Sequence, residues 1–177
     1  MYGLSELIKT GRQIFHSQDL ALLWGINRPA TLHMRVKRYI DKGVLFLIQK
    51  GLYSVVPLEK LEPKDVAVAI NHGYCYLSLQ SILEKFGVIN QRTGSFIFVG
   101  QKSKTINWRE NMFIFRQMAD KYLFNSAGII KNGECFEAAL ERAVADILYF
   151  SPKFYFDSPN LINWSMVKKI QKEVGYE

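Results

Sequence analysis

A chain of 177 residues, 49% hydrophobic and 22% charged, has the composition of a folded protein with one good core or two small ones, which argues against large-scale disorder. No apolar run approaches the roughly 18–20 residues that span a bilayer, and the opening MYGLSELIKTGRQ lacks the basic-then-apolar order of a secretory leader, so a cytoplasmic protein is expected. The net charge of +7 is uneven: residues 1–57 hold eight Lys/Arg against three Asp/Glu, and residues 58–177 hold fifteen against thirteen. The excess in the first third points to a polyanion there, although a membrane surface or an acidic protein would answer to the same charge.

In chain order, Leu4 to Arg12 reads as a short helix ended near Gly11. Ser17 is the expected N-cap of a second helix, with Asp19 well placed for the helix dipole. Leu20, Leu23 and Trp24 give that helix an apolar stripe, and Gly25 sits where a C-cap is expected. Asn27 is the expected cap of a third helix, with Pro29 in its first turn, running to Lys42 and ended by Gly43. VLFLIQKGLYSVV follows, two apolar runs broken by Gln49-Lys50-Gly51, the signature of a hairpin.

Residues 57–63, polar and bracketed by Pro57 and Pro63, mark a boundary, with Pro63 able to start a helix through Asp65, Val66 and Ile70. Ser78 is the expected N-cap of a helix over Leu79–Phe86, closed by Gly87. SFIFVG (95–100) and MFIFRQM (112–118) read as strands, and KYLFNS and AGII add one or two more. Residues 134–150 predict a helix with Phe136, Leu140, Ala143, Val144, Ile147 and Leu148 on one face, stopped by Pro152. Asn163 caps a last helix from Trp164 to about Val174, ending at Gly175. The fold class expected is α+β: a winged helix-turn-helix over 1–57, a linker over 58–62, and over 63–177 a small α+β domain with a mostly antiparallel sheet and C-terminal helices.

Three short helices and a hairpin in about 57 residues follow the order of a winged helix-turn-helix, with the third helix as reader. Leu32, Val36 and Tyr39 or Ile40 are its core positions, which leaves Arg28, Ala30, His33, Met34, Lys37 and Arg38 facing out and Arg35 toward the flank. Arg28 and His33 suit base edges, Lys37 and Arg38 suit phosphate, and Lys50 at the hairpin tip suits an adjacent phosphate or the minor groove. With Thr31, Met34 and Arg35 these form the candidate DNA-binding set. The plainer explanation is a solvated basic helix. Against it, Asp41 stands alone among the acids of that helix, so few i,i+4 partners exist.

Enzyme motifs are missing. His16, His33 and His72 have no metal-ligand spacing with each other or with the cysteines, and no phosphate-binding or nucleophile-elbow glycine motif occurs. No catalytic residue, metal or cofactor is therefore expected. Glu137, Glu141 and Asp146 fall within one predicted helix, but Arg142 lies between them, four residues before Asp146, and a helix-surface ion pair is the expected arrangement. Cys75 and Cys135 read as buried reduced thiols. Phe96, Phe98, Phe113, Phe115 and Phe124 read as half core rather than a base-stacking platform. Tyr149, Phe150, Phe154, Tyr155 and Phe156 also read mainly as core, with any exposed remainder a protein-contact patch.

Three stretches resemble the AbiEi-type antitoxin and transcriptional regulator family of type IV toxin–antitoxin, abortive-infection systems. They are HSQDLALLWGINRPATLHMRVKRYIDKGVLFLIQKGLYSV (16–55), with its G-L-Y ending; YLSLQSILEKFGVI (76–89), similar to a Y-L-S-x-x-S-x-L-x-x-x-G stretch; and ERAVADILYFSPKFYFD (141–157), similar to an E-[KR]-A-x-x-D-x-L-Y helix. The resemblance implies a sequence-specific repressor of its own operon whose C-terminal domain counteracts a nucleotidyltransferase-like toxin without requiring a stable complex with it. Double-stranded operator DNA is then the expected partner, with the oligomeric state open. The alternative is a protein-interaction module of a phage-defence system whose winged helix no longer binds DNA.

Overall fold

The computed structural model describes residues 2–176 and shows a mixed α+β protein with two sheets, mostly antiparallel, and, among those residues, eight α-helices. The chain folds as two compact units, one up to Ile70 and one from Asn71 on. The helix opened by Pro63 thus counts with the first unit, downstream of the expected boundary at 58–62. No helix among the described residues is long and apolar enough to cross a membrane.

In the first unit, α1 spans Tyr2–Lys9, β1 Ile14–His16, α2 Ser17–Leu23, α3 Pro29–Asp41, β2 Phe46–Gln49, β3 Leu52–Ser54 and α4 Pro63–Asn71. Helix α1 ends short of Arg12, and Gly11 turns the chain at φ +70° into β1, a strand the sequence reading left out. Strand β1 pairs antiparallel with β3, which pairs antiparallel with β2, so the expected hairpin gains a third strand. Ser17 is not the cap of α2: it is the first helical residue, and its hydroxyl donates to the Gly51 carbonyl at 3.4 Å. His16 holds the cap position, and its N–H donates to the Asp19 carboxylate at 2.9 Å. Likewise Arg28, not Asn27, occupies the cap of α3, and Pro29 is the first helical residue, where its missing N–H has no partner to lose. Leu7, Phe15, Leu20, Val36 and Leu45 form the core, with Trp24, Leu32, Tyr39 and Ile40 packed against it.

The second unit is built on a six-stranded sheet. Its strands are β4 (Cys75–Leu77), β5 (Ser95–Gly100), β6 (Lys104–Trp108), β7 (Asn111–Gln117), β8 (Ile129–Asn132) and β9 (Cys135–Ala138), in the order β6-β7-β5-β4-β9-β8. Pairs β6–β7, β5–β4 and β9–β8 are antiparallel; β7–β5 and β4–β9 are parallel. Helices α5 (Gln80–Lys85), α6 (Asp120–Leu123), α7 (Leu140–Phe150) and α8 (Trp164–Val174) complete it, with α5 and α8 both packed against α7. Two expectations change here. Lys121, Tyr122 and Leu123 are helical rather than extended, and residues 135–138 of the predicted long helix form β9, because they pair in register with β4 and β8. Tertiary pairing overrides a local apolar period that fits a helix equally well. Pro152 and the Asn163 cap act as expected: α7 stops at Phe150, and the Asn163 side chain accepts the Met166 N–H.

The strand aromatics are largely core, as expected. Phe98, Phe113 and Phe115 are buried, and Phe98 stacks on Phe115 with centroids 5.0 Å apart. Phe124 is exposed. Both cysteines are buried and neither is in a disulfide.

Candidate nucleic-acid interface

Helix α3 carries two opposed faces because its apolar residues recur at helical spacing. Leu32, Val36, Tyr39 and Ile40 lie on the core side, and Val36 is buried. Ala30, Met34, Lys37, Arg38 and Asp41 fall on the opposite side, all exposed, and Met34 lies directly across from the core stripe. Thr31 is exposed in the first turn, and Arg28 is exposed at the cap position.

His33 and Arg35 lie on opposite flanks of that face. His33 is exposed. Arg35 is half-buried, with its guanidinium 5.4 Å from the Trp24 ring, and Trp24 in turn packs on Tyr39 at 5.3 Å. The Arg35 charge is thereby held against the helix pair, as the flank placement anticipates. Lys50 is exposed in the β2–β3 turn, next to Gly51 at φ +84°. Arg28, His33, Lys37, Arg38 and Lys50 make no ion pair or side-chain hydrogen bond to any described residue. Four of these are obligate cations, and Asp41 is the one acid between Asp19 and Glu59. Apart from Asp41, the face is therefore positive charge without ion pairs around an exposed methionine, on a helix anchored from behind.

The acidic residues singled out in the second unit do not form a surface site. Glu137 is not on the helix. It is buried at β9, where it accepts from Lys85 Nζ at 2.9 Å and from Asn132 Nδ2 at 3.0 Å. Arg142 and Asp146 do pair on α7, but both are fully buried, which corrects the expected surface pair. All five guanidinium N–H groups have acceptors. Nε donates to Asp146 Oδ1 at 2.8 Å, Nη1 to the carbonyls of Asn125 (3.0 Å) and Ala127 (2.8 Å), and Nη2 to the Tyr76 hydroxyl (2.9 Å) and the Tyr122 carbonyl (3.1 Å). Asp146 also accepts from Ser78 Oγ at 2.7 Å and from the Tyr176 hydroxyl.

Ser78 is thus not a helix cap; Leu79 stands there, at φ +55°, ψ −140°. Burial and the Asp146 charge hold the Tyr76 and Tyr176 hydroxyls protonated well above their ordinary range. Burial opposes the Arg142 cation, but Asp146, Tyr76 and Tyr176 outweigh it and keep the guanidinium charged. Arg142, Asp146, Tyr76 and Ser78 are closed to solvent and every guanidinium N–H is used, so the pair offers no open position at which to bind or activate a substrate. Sequence reading missed it because Arg142 and Asp146 lie opposite the apolar stripe of α7, the side a surface helix turns to water. One signal was available: Tyr76 and Ser78 interrupt an otherwise apolar run, and polar residues there need partners.

Among the described residues no three His, Cys, Asp or Glu side chains come together as a metal site. Comparison with models of known protein families and with characterised proteins finds no match to this chain.

Proposed function

We propose that this protein is a sequence-specific duplex-DNA-binding transcriptional repressor whose first unit is a winged helix-turn-helix. The observation that carries the reading is the uncompensated face of α3: Arg28, Lys37 and Arg38 are exposed without partners, while Leu32, Val36, Tyr39 and Ile40 anchor the helix from behind. Two further features support it. The element order α1, β1, α2, α3, β2, β3 is that of a winged helix, and Lys50 stands at the tip of the hairpin that serves as wing. In this reading Arg28 and His33 reach base edges, Thr31 and Met34 line the groove, Lys37, Arg38 and Lys50 hold phosphates, and Arg35 braces the helix through Trp24. The resemblance to the AbiEi-type family extends the reading to autoregulation of an operon and to antitoxin action against a nucleotidyltransferase-like toxin, without a required stable complex.

One observation favours a second reading, a protein-interaction module: Leu22 on α2 and Leu47 on β2 are large apolar residues left 81% and 50% exposed in the same unit. A titration separates the two. A duplex carrying the chain's own upstream region is titrated at several salt concentrations, with wild type and with Arg28→Ala/Lys37→Ala. The expected result is a log–log salt slope of about −3 per bound copy, near −0.9 for each of the three phosphates held by Lys37, Arg38 and Lys50, and loss of binding in the variant with unchanged thermal stability. Retardation of that DNA unchanged in the variant sinks the assignment of α3.

A further inference from the structure

The second unit contains a cleft of about 570 Å³, lined by Gln80, Ile89, Asn90, Phe154, Tyr155 and Asp157 among others. Its walls are two segments far apart in sequence that are tied to each other: the Asn90 N–H donates to Asp157 Oδ2 at 2.7 Å, and the Ser158 N–H donates to the Val88 carbonyl at 3.1 Å. The cleft is therefore preformed, and its volume lies in the range of small-molecule sites. Gln80, the first residue of α5, lines one side. At the rim Tyr155 is 78% exposed, a bare ring on a surface where most aromatics are covered.

These groups specify a ligand. The Asp157 carboxylate, on an exposed residue of the lining, presents acceptors, so the ligand brings N–H donors. Tyr155 offers a flat face for stacking. Exposed Arg92 and Lys153, each next in sequence to a lining residue, Gln91 and Phe154, disfavour a cation and suit a phosphate.

We propose that the cleft binds a guanine nucleotide. Guanine is the base whose N1–H and amino N–H groups lie side by side, matching an acceptor-only carboxylate. Adenine and cytosine set a ring acceptor beside the amino group, and uracil flanks its N–H with two carbonyls; a carboxylate repels both arrangements. A lysine or arginine side chain would leave most of the volume empty. The site shares no residue with the basic face of α3 and does not depend on its reading.

The test is titration of the full chain with GMP, AMP, CMP, UMP, ribose 5-phosphate and a short single strand ending in guanosine, followed by NMR shifts and calorimetry. Saturable GMP binding is expected, with the other mononucleotides and ribose 5-phosphate weaker by about tenfold or more. Asp157→Asn, which keeps an acceptor for the Asn90 N–H, and Tyr155→Ala, at an exposed position, are each expected to weaken GMP by about tenfold with the melting temperature unchanged. Tighter binding of the strand with the same sensitivity to Asp157→Asn supports the site and identifies a strand end as its source of guanosine. No saturable GMP binding, equal binding of ribose 5-phosphate, or GMP binding that survives both substitutions overturns the proposal. GMP binding lost in Arg28→Ala/Lys37→Ala also overturns it, by placing the nucleotide on α3.

Discussion

Arg142 and Asp146 stand one turn apart on α7 and pair at 2.8 Å with neither side chain exposed to solvent. Breaking such a pair strands a charge in the interior, which costs far more than a surface pair is worth. Asp146→Asn and Arg142→Met are each expected to destabilise the second unit by about 3–5 kcal/mol in urea unfolding. Ser78→Ala is expected to cost less, about 1–3 kcal/mol, because Asp146 keeps its other partners. The Ser78 effect should shrink in an Asp146→Asn background, since the two residues share one hydrogen bond. A Ser78 cost independent of Asp146 would show that the hydroxyl acts elsewhere.

Gly128 holds the chain against this network. Its φ is +69°, and a Cβ built there falls 2.8 Å from Arg142 Cβ and 3.3 Å from Ile170 Cδ1. Both the backbone conformation and the space exclude a side chain, and the Gly128 carbonyl also accepts the Ala139 N–H at 2.7 Å. Gly128→Ala is expected to lower stability by at least about 2 kcal/mol, read from the same unfolding curve. Gly94→Ala is the comparison: its φ is similar, +60°, but nothing lies within 4 Å, so it should cost only the backbone strain.

Alkaline pH should loosen the second unit first. Burial raises the Cys75 thiol from 9.0 to about 12, and Tyr76 and Tyr176 are raised from 10.0 by burial and by Asp146. A group held protonated more tightly in the folded state contributes its full share below its unfolded pKa and loses it as pH rises toward the folded one. Unfolding free energy is therefore expected to be flat with respect to these groups below about pH 9 and to fall above it. Tyr176→Phe removes one titrating group, so its slope above pH 10 should be shallower by up to about 1.4 kcal/mol per pH unit, although the variant starts less stable at pH 7. Parallel slopes would mean that Tyr176 does not titrate differently on unfolding.

Neighbouring cations on α3 should separate by what they touch. Arg35 lies on Trp24, whereas Lys37 is exposed and unpaired. Arg35→Ala is expected to lower the stability of the first unit by about 0.5–1 kcal/mol through the lost ring contact. Lys37→Ala should stay within about 0.5 kcal/mol of wild type and, in the proposed DNA complex, reduce the salt slope by about one. Thermal unfolding alongside DNA titration checks both, and a Lys37 variant that loses stability would argue for a packing role.

What the sequence determined alone was set by interactions reaching three or four residues. Pro29, Gly43, Asn163 and Gly175 mark helix ends through local backbone chemistry, and Leu32, Val36 and Tyr39 fix which side of α3 turns inward. The charged face of α3 follows from that same period. Tertiary structure decided what depends on distant partners. Residues 135–138 became a strand only because β4, about 60 residues earlier, and β8 offered their edges. Ser78 left the cap of α5 because the buried Asp146 carboxylate is the more demanding acceptor. Above all, the pair Arg142–Asp146 looks the same on paper whether it faces water or Tyr76, Tyr122 and Tyr176, because helical spacing records which residues are neighbours and not what covers them.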